Sequence, residues 1–158
     1  MIGTRAKTPY IGCMFNAFLS RLLAPTTDRL PEPDADLALA ALLVRLARAD
    51  GDYADVEVAR IDKILAKRHK LTPAAAAALR TQAETLEQEA PDTVRFTRAI
   101  KDVTALENRA ELLQAMWSVA LADHARDAEE DQLIRLVANL LGLTDQQSAL
   151  ARQRAAQA

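Results

Sequence analysis

One cysteine, Cys13, leaves an intramolecular disulfide without its second thiol. The fold must therefore rest on a packed core, and a reducing, cytoplasmic compartment suits it. A lone cysteine with only two histidines, His69 and His124, also falls short of an ordinary structural zinc site. Four glycines and six prolines leave little room for long irregular segments. Aromatic residues make up only 4% of the chain, so the apolar load falls on alanine and leucine, which favour close-packed helices over sheets. A net charge of −2 lacks the basic excess that general nucleic-acid binding draws on, and no specific nucleic-acid partner is expected. No apolar run is long enough for a transmembrane segment. Phosphate loops, dinucleotide fingerprints and nucleophile elbows are missing too. The chain is expected not to be an enzyme, with no catalytic or organic-cofactor residues.

What is there is a chain of 158 residues, enough for one domain with a substantial core. Arg5 and Lys7 precede a short apolar stretch, Tyr10 to Leu19, in the manner of a signal peptide. Arg21 interrupts it early, and no clean small-residue cleavage site follows. Phe15, Phe18, Leu19, Leu22 and Leu23 recur at helical spacing instead, which predicts an amphipathic first helix suited to peripheral membrane or protein contact. Met1 and Met14 are both available as starts. Residues 25–33 carry three prolines and read as a linker.

From Asp34 onward the pattern is helical throughout. A nearly all-apolar helix is expected from about Asp34 to Asp50, closed by Gly51, and such a helix belongs at the centre of a bundle. An amphipathic helix from Asp55 to His69 follows, then an alanine-rich one opened by Thr72-Pro73. Beyond Pro91-Asp92 comes a helix with Phe96, Ala99, Ile100 and Val103 inward. A second apolar helix runs from about Glu107 to Asp123, and two more start near Ala128 and Asp145. Arg95, Arg98 and Lys101 form a basic row opposite Phe96, read as a solvated face. Trp117 reads as core.

The helices fall into two related halves. Asp50 and Asp123 are 73 residues apart, and so are Glu57 and Glu130. Leu39, Ala47, Ala49 and Ile61 repeat as Leu112, Ala120, Ala122 and Ile134 at the same offset. The repeat predicts a pseudo-symmetric all-α bundle with the two central helices paired in its core.

Each half carries an acidic joint between its central helix and the next. Asp50 and Asp123 fall at helix C-termini, where a carboxylate typically costs about 0.3–1 kcal/mol against the helix dipole. Two explanations stay open. The four carboxylates of Asp50, Glu57, Asp123 and Glu130 are suited to a divalent cation, Ca²⁺ or Mg²⁺ rather than Zn²⁺. Alternatively they are structural: Asp50 and Asp123 accept from the helix-opening N–H groups, and Asp127 with Glu130 fits a capping box. Ala54, in the matching cap slot of the first joint, cannot cap. A third and weaker reading is a hydrolase using the carboxylates. An EF-hand is excluded, because Ala54, Asp55 and Ile61 stand where the loop needs a ligand, a glycine and a bidentate glutamate.

The stretch Leu-Leu-Val-Arg-Leu-Ala-Arg-Ala-Asp-Gly at 42–51, followed by Glu57, resembles the first signature of the TerB (tellurite resistance protein B) family. Met-Trp-Ser-Val-Ala-Leu-Ala-Asp at 116–123, followed by Glu130, resembles the second. The segments 95–98 and 133–138 resemble an uncharacterised TerB-like branch. The resemblance covers roughly Leu37 to Arg154 and implies an all-α fold with metal binding through Asp50, Glu57, Asp123 and Glu130. His124 departs from the expected glycine, and Ala125 offers no acid where the first half has Asp52, so the second joint is expected to be the poorer ligand site. Residues 1–33 are then leader, amphipathic helix and linker, and 34–158 the TerB-like domain. The function expected is a non-enzymatic module that binds a divalent cation and contacts another protein, with a link to tellurite or stress response through the family. The alternative is a structural interaction domain whose acids are caps. The sequence carries no signal for oligomeric state.

Overall fold

Helix starts are fixed locally by side chains that satisfy the first orphan N–H groups. The computed structural model describes residues 34–90, 92–123 and 127–158. The amphipathic segment and linker expected within residues 1–33, and His124, lie outside them. Among the described residues there are seven α-helices, one 3₁₀ turn and no strand.

Helix α1 (Ala35–Arg48) opens where the Asp34 carboxylate accepts from the Leu37 N–H at 2.8 Å. Ala38 through Val44, Leu46 and Ala47 are all buried, as expected for a helix at the centre of the bundle. Gly51 follows with φ +84°, a conformation natural to glycine. Helix α2 (Asp55–His69) opens on Ala54 with no side-chain cap. It closes on Lys70 at φ 53°, a left-handed position that usually holds glycine. Helix α3 (Pro73–Glu89) has its Thr72 cap and its first-turn proline, and its buried Ala76 and Ala83 let it lie close to α1.

Helix α4 (Thr93–Val103) is capped by Asp92 and buries Phe96, Ala99 and Ile100. Val103, expected inward, is 70% exposed because it is the final residue of that helix. A 3₁₀ turn (Leu106–Asn108) then leads into α5 (Arg109–Ala120), which starts two residues later than the sequence pattern suggests. Helix α6 (Ala128–Leu140) is capped by Asp127, and α7 (Asp145–Gln157) by a full capping box between Thr144 and Gln147.

The repeat is visible in the packing. Central helices α1 and α5 pack against each other. In each half the central helix also packs on the helix two elements later, α1 on α3 and α5 on α7. The intervening helices cross over reciprocally: α2 contacts α5, and α6 contacts α1. The shared core includes Leu39, Leu42, Leu43, Leu46, Phe96, Leu113 and Met116. Apolar burial of this kind supplies the dominant favourable term in folding.

Arg45 interrupts the apolar run of α1, and it is fully employed. Arg45 donates to the Glu87 carboxylate at 3.3 Å, to Thr93 Oγ1 at 3.1 Å and to the Glu87 and Ala90 carbonyls, with its guanidinium 5.1 Å from the Phe96 ring centre. Arg48 reaches the other Glu87 oxygen at 2.7 Å. These contacts lock α1 to the end of α3 and the start of α4.

Candidate metal centre

The two joints are built by different local devices that deliver the same result. In the first, Asp50 Oδ1 accepts from the Asp52 N–H at 2.8 Å and holds the turn. Tyr53 anchors it: its hydroxyl donates to Glu84 Oε1 at 2.9 Å, and the Arg48 guanidinium lies 5.0 Å from its ring centre. Burial, reinforced by Glu84, pushes the Tyr53 pKa up to about 12, so the donor proton stays in place. Arg80 donates to the same Glu84 oxygen at 2.5 Å and also bonds Asp62 at 2.6 Å. In the second joint, Asp127 Oδ1 accepts from the N–H groups of Glu129 and Glu130 at 2.7 and 3.1 Å.

Counted from their caps at Ala54 and Asp127, Glu57 and Glu130 both occupy the third helical position. The reciprocal crossing of α2 and α6 over the central pair brings these two starts together. Asp50, Glu57 and Glu130 each offer a carboxylate oxygen, and the three oxygens lie within 4.8 Å of one another. Glu57 is 0% and Glu130 2% exposed. Both oxygens of Glu57 and Oε1 of Glu130 are buried without a hydrogen-bond partner among the described residues. Such groups cost free energy unless something neutralises or coordinates them.

The electrostatics follow. The first turn of a helix ordinarily favours a carboxylate, yet both glutamates are pushed the other way. Burial, then the charges of Asp123 and Asp50, raise Glu57 to about 7, while the Ala54 amide pulls it down. Burial, then Glu57, Asp123 and Asp50, raise Glu130 to about 8. Asp123 is not one of the three converging residues, but its charge acts on both glutamates.

The expected capping box at the second joint forms only in part. Asp127 caps, but Glu130 does not complete the box: its Oε1 sits buried without a partner. Asp50 likewise bonds within its own turn, to Asp52, and not to an N–H that opens α2. Capping thus explains Asp127, while both Glu57 oxygens and Oε1 of Glu130 lack a hydrogen bond of good geometry among the described residues, the Ala54 amide acting on Glu57 only as a nearby dipole.

A family model described as Tellurite resistance protein TerB matches residues 36–153. The chain belongs to the TerB family. Comparison with curated proteins and with solved structures found no match. The matched stretch reaches into all seven helices and takes in both joints. Sequence reasoning missed the layer that supports the site of this TerB chain, namely Tyr53, Glu84, Arg80, Arg45 and Arg48. Part of it was open to view: Arg80 and Glu84 stand at i, i+4, the spacing of a helical ion pair.

No helix among the described residues is long and apolar enough to cross a membrane.

Proposed function

We propose that this TerB module is a non-enzymatic divalent-cation site joining its two halves, with Asp50, Glu57 and Glu130 as ligands and Asp123 as a nearby counter-charge. One observation carries the reading: two buried glutamates from equivalent positions of the repeat meet beside Asp50 with three oxygens unpartnered among the described residues. The donor set is all oxygen, the set that Ca²⁺ and Mg²⁺ take. Oxygens around Ca²⁺ lie up to about 5 Å apart, so the spacing within 4.8 Å fits that ion as it stands. Mg²⁺, with shorter bonds, needs every pair within about 4.2 Å, and Zn²⁺ prefers nitrogen and sulfur. When bound, the ion would offset the mutual repulsion of the acids.

Titration calorimetry of chelator-treated protein at pH 8 with Ca²⁺, Mg²⁺, Mn²⁺ and Zn²⁺ tests this. One Ca²⁺ per chain is expected, lost in Glu57→Gln. Binding no tighter than about 1 mM, the weak end of protein Ca²⁺ sites, ends the reading. Asp50→Asn separates it from a structural role. Asparagine keeps an oxygen for the Asp52 N–H but removes the charge, so cation-induced stabilisation should fall while the metal-free melting temperature is not lowered.

A protein partner belongs to the same proposal. Val103 at the end of α4 and Leu106 in the 3₁₀ turn, 70% and 50% exposed, offer apolar contact area. A role in tellurite or stress response is supported by the family name alone.

A further inference from the structure

Beside the acid cluster a cavity of about 350 Å³ opens between α2, α5, the start of α6 and α7. Its volume falls in the range of small-molecule sites. Glu130 belongs to both places: it is one of the three converging acids and it also lines the cavity, with Oε1 buried and without a hydrogen-bond partner among the described residues. Two arginines line the same cavity. Arg60 on α2 donates to Ser118 Oγ at 3.0 Å, and Arg152 on α7 lies 5.2 Å from the Trp117 ring centre. Neither makes an ion pair among the described residues. Asp127, already used as a cap, and Asp131 complete the charged lining; Trp117, Ala155 and Ala156 provide apolar wall.

We infer that this cavity takes a small organic acid, whose carboxylate completes the coordination of the cation at Glu130 and pairs with Arg60 and Arg152 while its apolar body lies against Trp117 and Ala155. The inference rests on the cation reading above and extends it to a ligand. A hard cation of this class takes six to eight oxygens, more than three side chains supply unless all bind bidentately. The two arginines give an incoming carboxylate charge-assisted bonds. The tryptophan and alanines give an attached hydrocarbon the area that distinguishes an organic acid from a bare oxyanion.

The experiment uses the full chain and hexanoate as the probe, with acetate and inorganic phosphate for comparison. Cation binding is measured first by calorimetry, then hexanoate is titrated into the cation-saturated protein. Fluorescence of Trp117, the single tryptophan, reports whether binding occurs in this cavity. Expected are one hexanoate per chain, a change in Trp117 emission, and at least tenfold weaker binding without the cation. Acetate and phosphate should bind at least tenfold more weakly than hexanoate. Arg60→Gln and Arg152→Gln should each weaken hexanoate by about tenfold or more, the usual cost of losing a hydrogen bond to a charged group, and bind the cation no less tightly. If no cation binds, the cation reading and this inference fall together. If the cation binds but hexanoate does not, or binds equally to both arginine variants or without the cation, only this inference falls. Phosphate binding as tightly as hexanoate overturns the organic-acid assignment.

Discussion

Glu57 and Glu130 are the residues at which the protein is least content with itself. Their folded-state pKa values, raised to about 7 and about 8, exceed the ordinary 4.5. Between pH 4.5 and 8 the folded protein therefore holds more protons than the unfolded chain, and stability falls as pH rises through that window. Chelator-treated protein should be less stable at pH 8 than at pH 5.5, by an amount on the order of 3 kcal/mol given the size of the shifts, and should melt at a correspondingly lower temperature. Saturating Ca²⁺ should flatten that slope, because the ion binds the deprotonated acids. A slope of the opposite sign in thermal melts across this range would refute the electrostatic account. The same logic makes Glu130→Gln a stabilising change at pH 8 without metal, by about 1–3 kcal/mol, since an amide occupies the site without charge. The same variant should show no Ca²⁺-induced rise in melting temperature.

At the scale of single elements, the two joints reach one geometry by different means, and the supports can be tested separately. Tyr53→Phe removes the hydroxyl that ties the first joint to α3 through Glu84. It should cost about 1 kcal/mol in denaturant unfolding, the net worth of a typical hydrogen bond, and weaken Ca²⁺ binding because the turn carrying Asp50 loses its anchor. Cation affinity unchanged in this variant would mean that Asp50 and Glu57 need no support from α3. The end of α2 offers an opposite case. Lys70 holds φ 53° at the cap, where a side chain is strained. Lys70→Gly should raise stability by about 0.5–1 kcal/mol with no effect on cation binding. His69, beside it, pairs its Nδ1 with Asp36 at 3.3 Å and so ties the end of α2 to the start of α1.

At the scale of the whole molecule, a cation held by Asp50 and Glu57 on one side and Glu130 on the other is a crosslink between the halves. Hydrogen exchange should therefore show Ca²⁺ protecting the first turns of α2 and α6 together. In Glu57→Gln the protection at the start of α6 should vanish as well, although that segment is unchanged. Protection confined to one joint would mean the halves are not bridged.

Most of the fold was legible before the structure, because its signals are local. Thr72-Pro73, Asp127 and the alanine–leucine periodicity fix helix starts and inward faces within a few residues of themselves. The two halves were equally visible, since a repeat is a property of order and spacing alone. The four acids could be nominated for the same reason. What the sequence by itself determined, then, is seven helices from Asp34 onward, in two related halves with an acidic joint in each. Only tertiary structure decided that Asp50, Glu57 and Glu130 converge while Asp123 acts from beside them. The same holds for Glu130 being drawn out of its capping box into a buried cluster, and for Arg45, a charge in an apolar helix, finding its partners at the end of α3. Convergence depends on how α2 and α6 cross the paired central helices. That crossing is set by the summed packing of residues far apart in the chain, which no local spacing encodes.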